Sequence, residues 1–481
     1  MATTELRLLV ADDWVEGIAQ PLPLHSPVTG EVVALVHQAD AGHLDRAVDA
    51  AWEAHHKLAR MTAFERAALT HRVADLIEER AGTIARDLSA EHGKPMVGEA
   101  LPEVAAAVEM FRDAAEGIKR LETSVIPSSD PAKRVITIRQ PRGVYGLLTP
   151  WNFPVTIPSE YLSAGLATGN GMVWKPSELT PTSAAHLAQC FLDAGVPAGT
   201  LNLLHGDPAE IGGGIAGHER VVAVGLTGSS RTGQAVAARA AGKPLLFELG
   251  GNCPVIVFDD ADLDTVVEKL AFGCFANAGQ ICDSVERILV HERIQDDLVA
   301  GLAEAASRLR LGSPFDESTT LGPVINEAGA ARIDAHLADA TDRGATVVMG
   351  GGRAGGHPTA LYYQPTVVAG IRPGMRIEAE ETFGPVAAVM AVEDEQAAVE
   401  AANRSSTGLV GAVFTRDIGR AMRVAEALET GMVNINDSTA YWQPHTPFGG
   451  FSGKNSGIGR LGGRWTLEEM TQIKTINLDV S

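Results

Sequence analysis

Between residues 144 and 249 short apolar runs alternate with amphipathic stretches, and this rhythm limits the fold more than any other feature of the chain. The runs at 145–148, 171–174, 201–204 and 221–226 have strand length, and helical periodicity fills 181–194, 208–216 and 231–241. Strands joined through helices run parallel, and the helices must cover both faces of their sheet, so a doubly wound sheet is the economical outcome. A second such run starts at Pro254-Val255-Ile256-Val257-Phe258, passes through helices at 262–277 and 293–309, and includes strands at 346–349 and 386–390. The expected class is α/β, with two doubly wound α/β domains.

The flanks differ. Residues 31–36 read as a strand, and 44–58, 63–90 and 103–118 place apolar residues at three- and four-residue intervals without internal proline, so three helices precede the first sheet. Arg134-Val135-Ile136-Thr137-Ile138-Arg139-Gln140 alternates between polar flanks, as a ribbon standing off the body does. Ile473-Lys474-Thr475-Ile476-Asn477-Leu478 alternates likewise and is its natural partner, which predicts a small β arm at a subunit interface. Glycine-rich 449–463 and a short helix near 466–470 lie between body and arm.

With 45% hydrophobic and 21% charged residues, the 481-residue chain has material for a large core and too little charge for disorder. A net charge of −21, with no basic run, argues against nucleic acid and anionic membrane as partners. No stretch approaches the roughly 20 apolar residues that span a bilayer, and the first residues show no basic leader, so a cytoplasmic location is expected. Cys190, Cys253, Cys274 and Cys282 form no CxxC pair and no zinc pattern, so reduced thiols and no metal site are expected.

Four stretches carry candidate chemistry. In Asn277-Ala278-Gly279-Gln280-Ile281-Cys282 a cysteine follows a helix and a glycine turn among polar residues; a lone cysteine is more often a buried small hydrophobe, but a thiolate here could attack an electrophilic carbon if a nearby base or dipoles lowered its pKa. Phe247-Glu248-Leu249-Gly250-Gly251-Asn252 sets a carboxylate at a strand end before a turn that admits close backbone approach, although an exposed strand-end glutamate is the commoner case. Thr149-Pro150-Trp151-Asn152-Phe153-Pro154 holds an asparagine amide between prolines, as a rigid oxyanion donor needs, or is an ordinary proline-rich turn. Leu226-Thr227-Gly228-Ser229-Ser230-Arg231-Thr232-Gly233 is a strand, a turn and a helix start, suited to a phosphate or simply capped, and it is not GxGxxG.

Their order and context resemble the aldehyde dehydrogenase superfamily over nearly the whole chain. The resemblance rests on Pro150-Trp151-Asn152-Phe153-Pro154, Trp174-Lys175-Pro176-Ser177-Glu178, Gly228-Ser229 with Gly233, Glu248-Leu249-Gly250-Gly251, Gly279-Gln280-Ile281-Cys282, Glu381-Thr382-Phe383-Gly384-Pro385-Val386, and Pro447-Phe448-Gly449-Gly450 with Ser456-Gly457. It implies NAD(P)-dependent oxidation of an aldehyde to the acid. Cys282 would form a thiohemiacetal and then a thioester, Asn152 would hold the oxyanion, and Glu248 would activate the hydrolytic water. Trp151, Lys175, Glu178, Gly228, Ser229, Gly233, Leu249, Glu381 and Phe383 are the implied cofactor contacts: Lys175 at the adenosine ribose, Ser229 at the pyrophosphate, and Glu381 and Phe383 at the nicotinamide ribose. The implied domains are Rossmann-like: 1–122 with 142–249 for NAD, 250–455 for catalysis, 123–141 with 471–481 as an oligomerisation arm, and 456–470 as a return segment. Homodimers or homotetramers are implied by strands that pair across subunits.

Two positions depart from the family pattern. Leu461 stands where members often carry a glutamate in a water-relay position, and Glu160 stands where members acting on succinic semialdehyde or a phosphorylated aldehyde tend to carry arginine. The stretch around Gly279–Arg287 and the ending 459–463 are loosely similar to the benzaldehyde, vanillin and salicylaldehyde branch. Glu178, three residues after Lys175, favours NAD over NADP, because a 2′-phosphate would meet like charge. Glu160 near the substrate mouth would repel an anionic aldehyde unless Arg287 compensates, and Phe153, Tyr161, Tyr441, Trp442 and Phe448 are expected to line an apolar mouth. The expected substrate is an uncharged aromatic or medium aliphatic aldehyde; a small hydroxylated aldehyde, with His445 and Asp283 nearby, or a semialdehyde is the alternative. Glu248 argues against a CoA-acylating enzyme, and the intact triad against a structural protein.

Overall fold

The structure, a computed structural model, describes residues 4–481. The first alternating run builds an eight-stranded sheet whose central strands are parallel, in the spatial order Leu245–Leu249, Val221–Gly228, Val144–Leu148, Gly171–Lys175, Leu201–Leu203. Val144–Leu148 comes first in sequence yet lies in the middle: the next two strands add on one side, the following two on the other. That reversal parts the connections beyond the carboxyl ends of Val144–Leu148 and Val221–Gly228, where ligands of doubly wound sheets bind. Val144–Leu148 and Gly171–Lys175 are buried throughout, as strands covered on both faces must be. Leu101–Ile118 and Thr156–Thr168 pack with Tyr145 and Trp174 on one face, and Ala41–Leu58 packs with Val144 and Val173 on the other.

The sheet edges were not apparent in the sequence. Leu8–Val10 and Asp13–Val15 form a hairpin through Ala11 and Asp12, at φ 54° and 73°, and Leu8–Val10 joins Leu201–Leu203 antiparallel. Gly457–Ile458 joins Leu245–Leu249 at the opposite edge. Strands of two or three residues are too short to show a period. The single helix expected over 63–90 is two, Ala63–Glu79 and Ala81–His92. They divide at Arg80, which has φ −100° and ψ 6° and reaches Asp193 at 2.6 Å.

The second run builds a seven-stranded sheet in the order Thr346–Met349, Thr366–Ala369, Val386–Val392, Arg287–His291, Pro254–Val257, Val410–Phe414, Met432–Ile435, parallel except for the first pair. The loops entering Arg287–His291 and Val386–Val392 carry Cys282 and Glu381. Lys133–Pro141 and Thr471–Asp479 pair antiparallel from Pro141 opposite Thr471 to Lys133 opposite Asp479, with Val125–Ile126 on the outer side. Ile473, Ile476 and Leu478 of this ribbon are exposed.

Candidate active site

Two cavities meet at one thiol. The smaller, about 180 Å³, opens at the sheet reversal and is lined by Trp151, Asn152, Gly228, Ser229, Glu381 and Phe383 among others. The larger, about 440 Å³, has apolar walls from Phe153, Ile157, Phe272, Trp442 and Phe448. Cys282 and Glu248 line both.

Cys282 is positioned by an unusual stretch of backbone. After helix Leu263–Phe275, Asn277, Ala278 and Gly279 take φ of 50°, 55° and 69°, a conformation that costs non-glycine residues free energy and that surrounding contacts must hold. The contacts are present. Asn277 N–H donates to Glu99 Oε1 at 2.8 Å, Asn277 Nδ2 donates to the Asn152 carbonyl at 3.1 Å, and Gln280 Nε2 donates back to the Asn277 carbonyl at 3.0 Å. A Cβ on Gly279 would lie 2.0 Å from the Gly384 carbonyl, so only glycine fits there.

Asn152 is held from the other side. Lys94 Nζ donates to its carbonyl at 2.9 Å and pairs with Glu103 at 2.5 Å, both side chains being buried, while Glu103 also accepts from the Val155 N–H at 2.8 Å. The Asn152 amide donates one N–H to the Gln280 carbonyl at 3.1 Å. Glu248 is the last residue but one of strand Leu245–Leu249, is buried, and its Oε1 has no hydrogen-bond partner among the described residues. Burial first, then the charges of Glu160 and Asp283, push its carboxyl well above the usual range. Burial first, and then the Glu248 charge, raises the Cys282 thiol as well.

The smaller cavity suits a dinucleotide. Ser229 caps helix Ser230–Arg239 after the strand ending at Gly228, which puts a helix start at the sheet reversal. Glu381 accepts from the Gly251 N–H at 3.3 Å, and a Cβ on Gly250 would come within 2.6 Å of its other oxygen, so glycine makes space for that carboxyl. Burial raises Glu381 to about 8. Phe383 sits at φ 53°, edge-on to Trp151 at 5.6 Å between ring centres, with its N–H and that of Thr382 both bound by Glu286. The Glu381 carboxyl as a hydroxyl acceptor and the helix start at Ser229 fit a nucleotide ribose and pyrophosphate.

The profile of the aldehyde dehydrogenase family matches residues 14–476. The chain belongs to that family. It is 36% identical over 471 residues to the NADP(+) succinate-semialdehyde dehydrogenase GabD of Escherichia coli strain K12, covering 97% of this chain and 96% of the relative. It is 37% identical over 461 residues to a vanillin dehydrogenase of Pseudomonas fluorescens, covering 94% and 93%. A crystal structure of betaine aldehyde dehydrogenase from Staphylococcus aureus in complex with NAD+ superposes with a TM-score of 0.95 at 34% identity, covering 99% of this chain and 95% of that one. This dehydrogenase is accordingly an NAD(P)-dependent enzyme of small aldehydes.

Of the residues singled out in the sequence, Trp151, Gly228, Ser229, Glu381 and Phe383 line the smaller cavity of the dehydrogenase with the three catalytic candidates. Lys175 and Glu178 lie one strand further along, with Lys175 buried at the end of Gly171–Lys175 and its Nζ 3.7 Å from Glu178. Gly233 and Leu249 face each other: a Cβ on Gly233 would stand 2.5 Å from a Leu249 methyl, so close packing explains that glycine. On the substrate side several expectations fail. Tyr161 is buried with its hydroxyl 3.0 Å from Thr227 Oγ1, Tyr441 is exposed, and neither lines the larger cavity, nor does His445. Arg287 cannot compensate there, because its guanidinium is buried on the carbonyls of Asn252, Ala401 and Ala402. Glu160 lines the cavity but is not a repelling mouth charge, since burial lifts it to about 8. Leu461 packs in the core and exchanges backbone hydrogen bonds with Phe448. The Lys94–Glu103 pair and Glu286 escaped sequence reading, because each acts on a segment distant in the chain.

Proposed function

We propose that Cys282 is the nucleophile, Asn152 the oxyanion donor and Glu248 the general base in hydrolytic oxidation of an aldehyde. What supports this reading is that Cys282 and Glu248 line both cavities, so an aldehyde in the larger and a dinucleotide in the smaller converge on one sulfur. Attack of the Cys282 thiolate on the carbonyl carbon moves the C=O π pair onto oxygen and leaves an oxyanion, for which the second N–H of Asn152 Nδ2 is a donor. Bound in the smaller cavity, the nicotinamide supplies the hydride acceptor. Water then attacks the thioester carbon, its proton passes to the Glu248 carboxylate, and the carbon–sulfur bond breaks to return a Cys282 thiolate. The seat of the cofactor is the eight-stranded unit, 1–122 with 142–249, and that of the thiol is 250–455. An aldehyde panel followed by NADH absorbance, with and without CoA, tests the activity: reduction should need no CoA, and silence across the panel would restore the structural-protein reading.

The substrate reading is an uncharged aromatic or medium aliphatic aldehyde. It is supported by the apolar walls and by the state of Lys94, the one cation lining the larger cavity among the described residues, which is taken up by Glu103 and the Asn152 carbonyl. A semialdehyde is the second reading, favoured by the likeness to GabD. NAD is the proposed cofactor, on the strength of Glu178 beside Lys175. The exposed apolar ribbon supports a dimer or a dimer of dimers, against which a 50.5 kDa particle in light scattering would count. Four free cysteines accord with a cytoplasmic setting.

A further inference from the structure

Hydrolysis leaves a proton on Glu248 in every turnover, and this proton must leave before Glu248 can serve again. Leu461, buried and apolar, offers it no carrier. Glu160 does. It lies on helix Thr156–Thr168, 9% exposed, and its carboxyl makes no hydrogen bond to the protein among the described residues. It lines the large cavity with Glu248 and also a second, small cavity of about 10 Å³, room for roughly one water. The polar lining of that small cavity comes from Asp113, Ser163 and Thr466. Asp113, on helix Leu101–Ile118, is half-buried, and beyond it lies exposed His445. A Cβ on Gly463 would stand 2.9 Å from Asp113 Oδ2 and 3.0 Å from His445 Cα, so glycine there lets the two approach.

Resting on the reading of Glu248 as the hydrolytic base, we propose that Glu160 carries its proton out of the active site, through the small cavity to Asp113 and the surface at His445. Glu160, a carboxylic acid at neutral pH, first gives its proton through the small cavity to the Asp113 carboxylate, which releases it to solvent; the Glu160 carboxylate so formed takes the proton of Glu248, which restores the base, and no electrons are exchanged. Burial holds Glu248 well above the usual range and Glu160 at about 8, and half-buried Asp113 is raised by desolvation while His445 opposes the rise. The other ionisable groups around Glu160 are Tyr161 on its own helix, Asp283 and Glu99 across the cavity, and Lys94, neutralised by Glu103.

The test is Glu160→Gln in the full enzyme, with first-turnover NADH formation and steady-state kinetics measured from neutral to alkaline pH. The expected result is an undiminished first-turnover burst and a kcat lowered about tenfold at neutral pH, recovering as hydroxide takes over. KM should fall in parallel, so that kcat/KM is unchanged for every aldehyde. Asp113→Asn, at the half-exposed end, should give a smaller loss of the same form, and it decides the matter if Glu160→Gln does not fold. A wild-type pH profile of kcat in the folded variants overturns the route, as does a kcat/KM that falls for some aldehydes and not others, which would make Glu160 a substrate contact. If Glu248→Gln also leaves steady state intact, it is the base assignment that fails, and the route fails with it.

Discussion

The smaller cavity is framed by strand ends and turns, the larger by helix faces and the loop around Trp442. On the cofactor side much of the frame is local in sequence, namely the turn after Val144–Leu148, the cap after Val221–Gly228 and the Gly-Gly turn after Leu245–Leu249, with Glu381 and Phe383 added from the loop before Val386–Val392. Sheet topology brings these turns together whatever the substrate. On the substrate side the walls come from helices Leu101–Ile118, Thr156–Thr168 and Leu263–Phe275 and from residues near 440, and their side chains decide the cavity's shape. A family can therefore keep the first arrangement while changing the second.

The sharpest way to break this division is at the residues shared by both cavities. Cys282→Ala should lower turnover about 10⁴-fold or more, because the covalent step is lost, while NAD binding measured by calorimetry stays near wild type. Substantial residual activity would place the nucleophile elsewhere. Glu248→Gln should lower steady state by about 10²–10⁴-fold yet keep the first-turnover NADH burst, since the base acts after hydride has left. An unaltered steady-state rate would move the base to another group.

Sequence reading fared unequally on the two sides, for the same reason. Asn152, Glu248 and Ser229 each end a strand or begin a helix within a few residues, so local pattern places them. Helix Thr156–Thr168 is buried on every side, and periodicity cannot say which of its residues face a cavity and which a core: Glu160 turns to the cavities, Tyr161 to Thr227. Arg287 looked available because nothing in its neighbourhood predicts three distant carbonyls as partners. The alternation of the first run was readable, whereas four strands of the second sheet, Arg287–His291, Thr366–Ala369, Val410–Phe414 and Met432–Ile435, the short edge strands and the break at Arg80 were not read from the sequence.

Paired substitutions on the two sides sharpen the comparison further. Gly250→Ala puts a methyl within 2.6 Å of Glu381 Oε2 and should raise the KM for NAD about tenfold for all aldehydes alike. Trp442→Ala removes a wall of the larger cavity and should reorder kcat/KM among aromatic and aliphatic aldehydes, with the KM for NAD unchanged. If either variant produced the other's pattern, the two cavities would not be separable in function.

The smallest effect belongs to cofactor choice. Lys175 is buried, and burial lowers its ammonium from the usual range while Glu178, 3.7 Å away, restores part of the loss. A ribose with free hydroxyls leaves that pair intact and can donate to the carboxylate; a 2′-phosphate brings two negative charges against it. Yet the Glu178 side chain is 59% exposed, so water screens most of the repulsion. Exposed charge interactions of about 0.2–1 kcal/mol correspond to only a few-fold in binding. Glu178→Gln should therefore raise the kcat/KM ratio of NADP to NAD by about two- to fivefold without inverting it, since the carboxamide still accepts from one hydroxyl. A wild-type enzyme that used NADP as well as NAD would show instead that the carboxylate turns outward when the phosphate arrives.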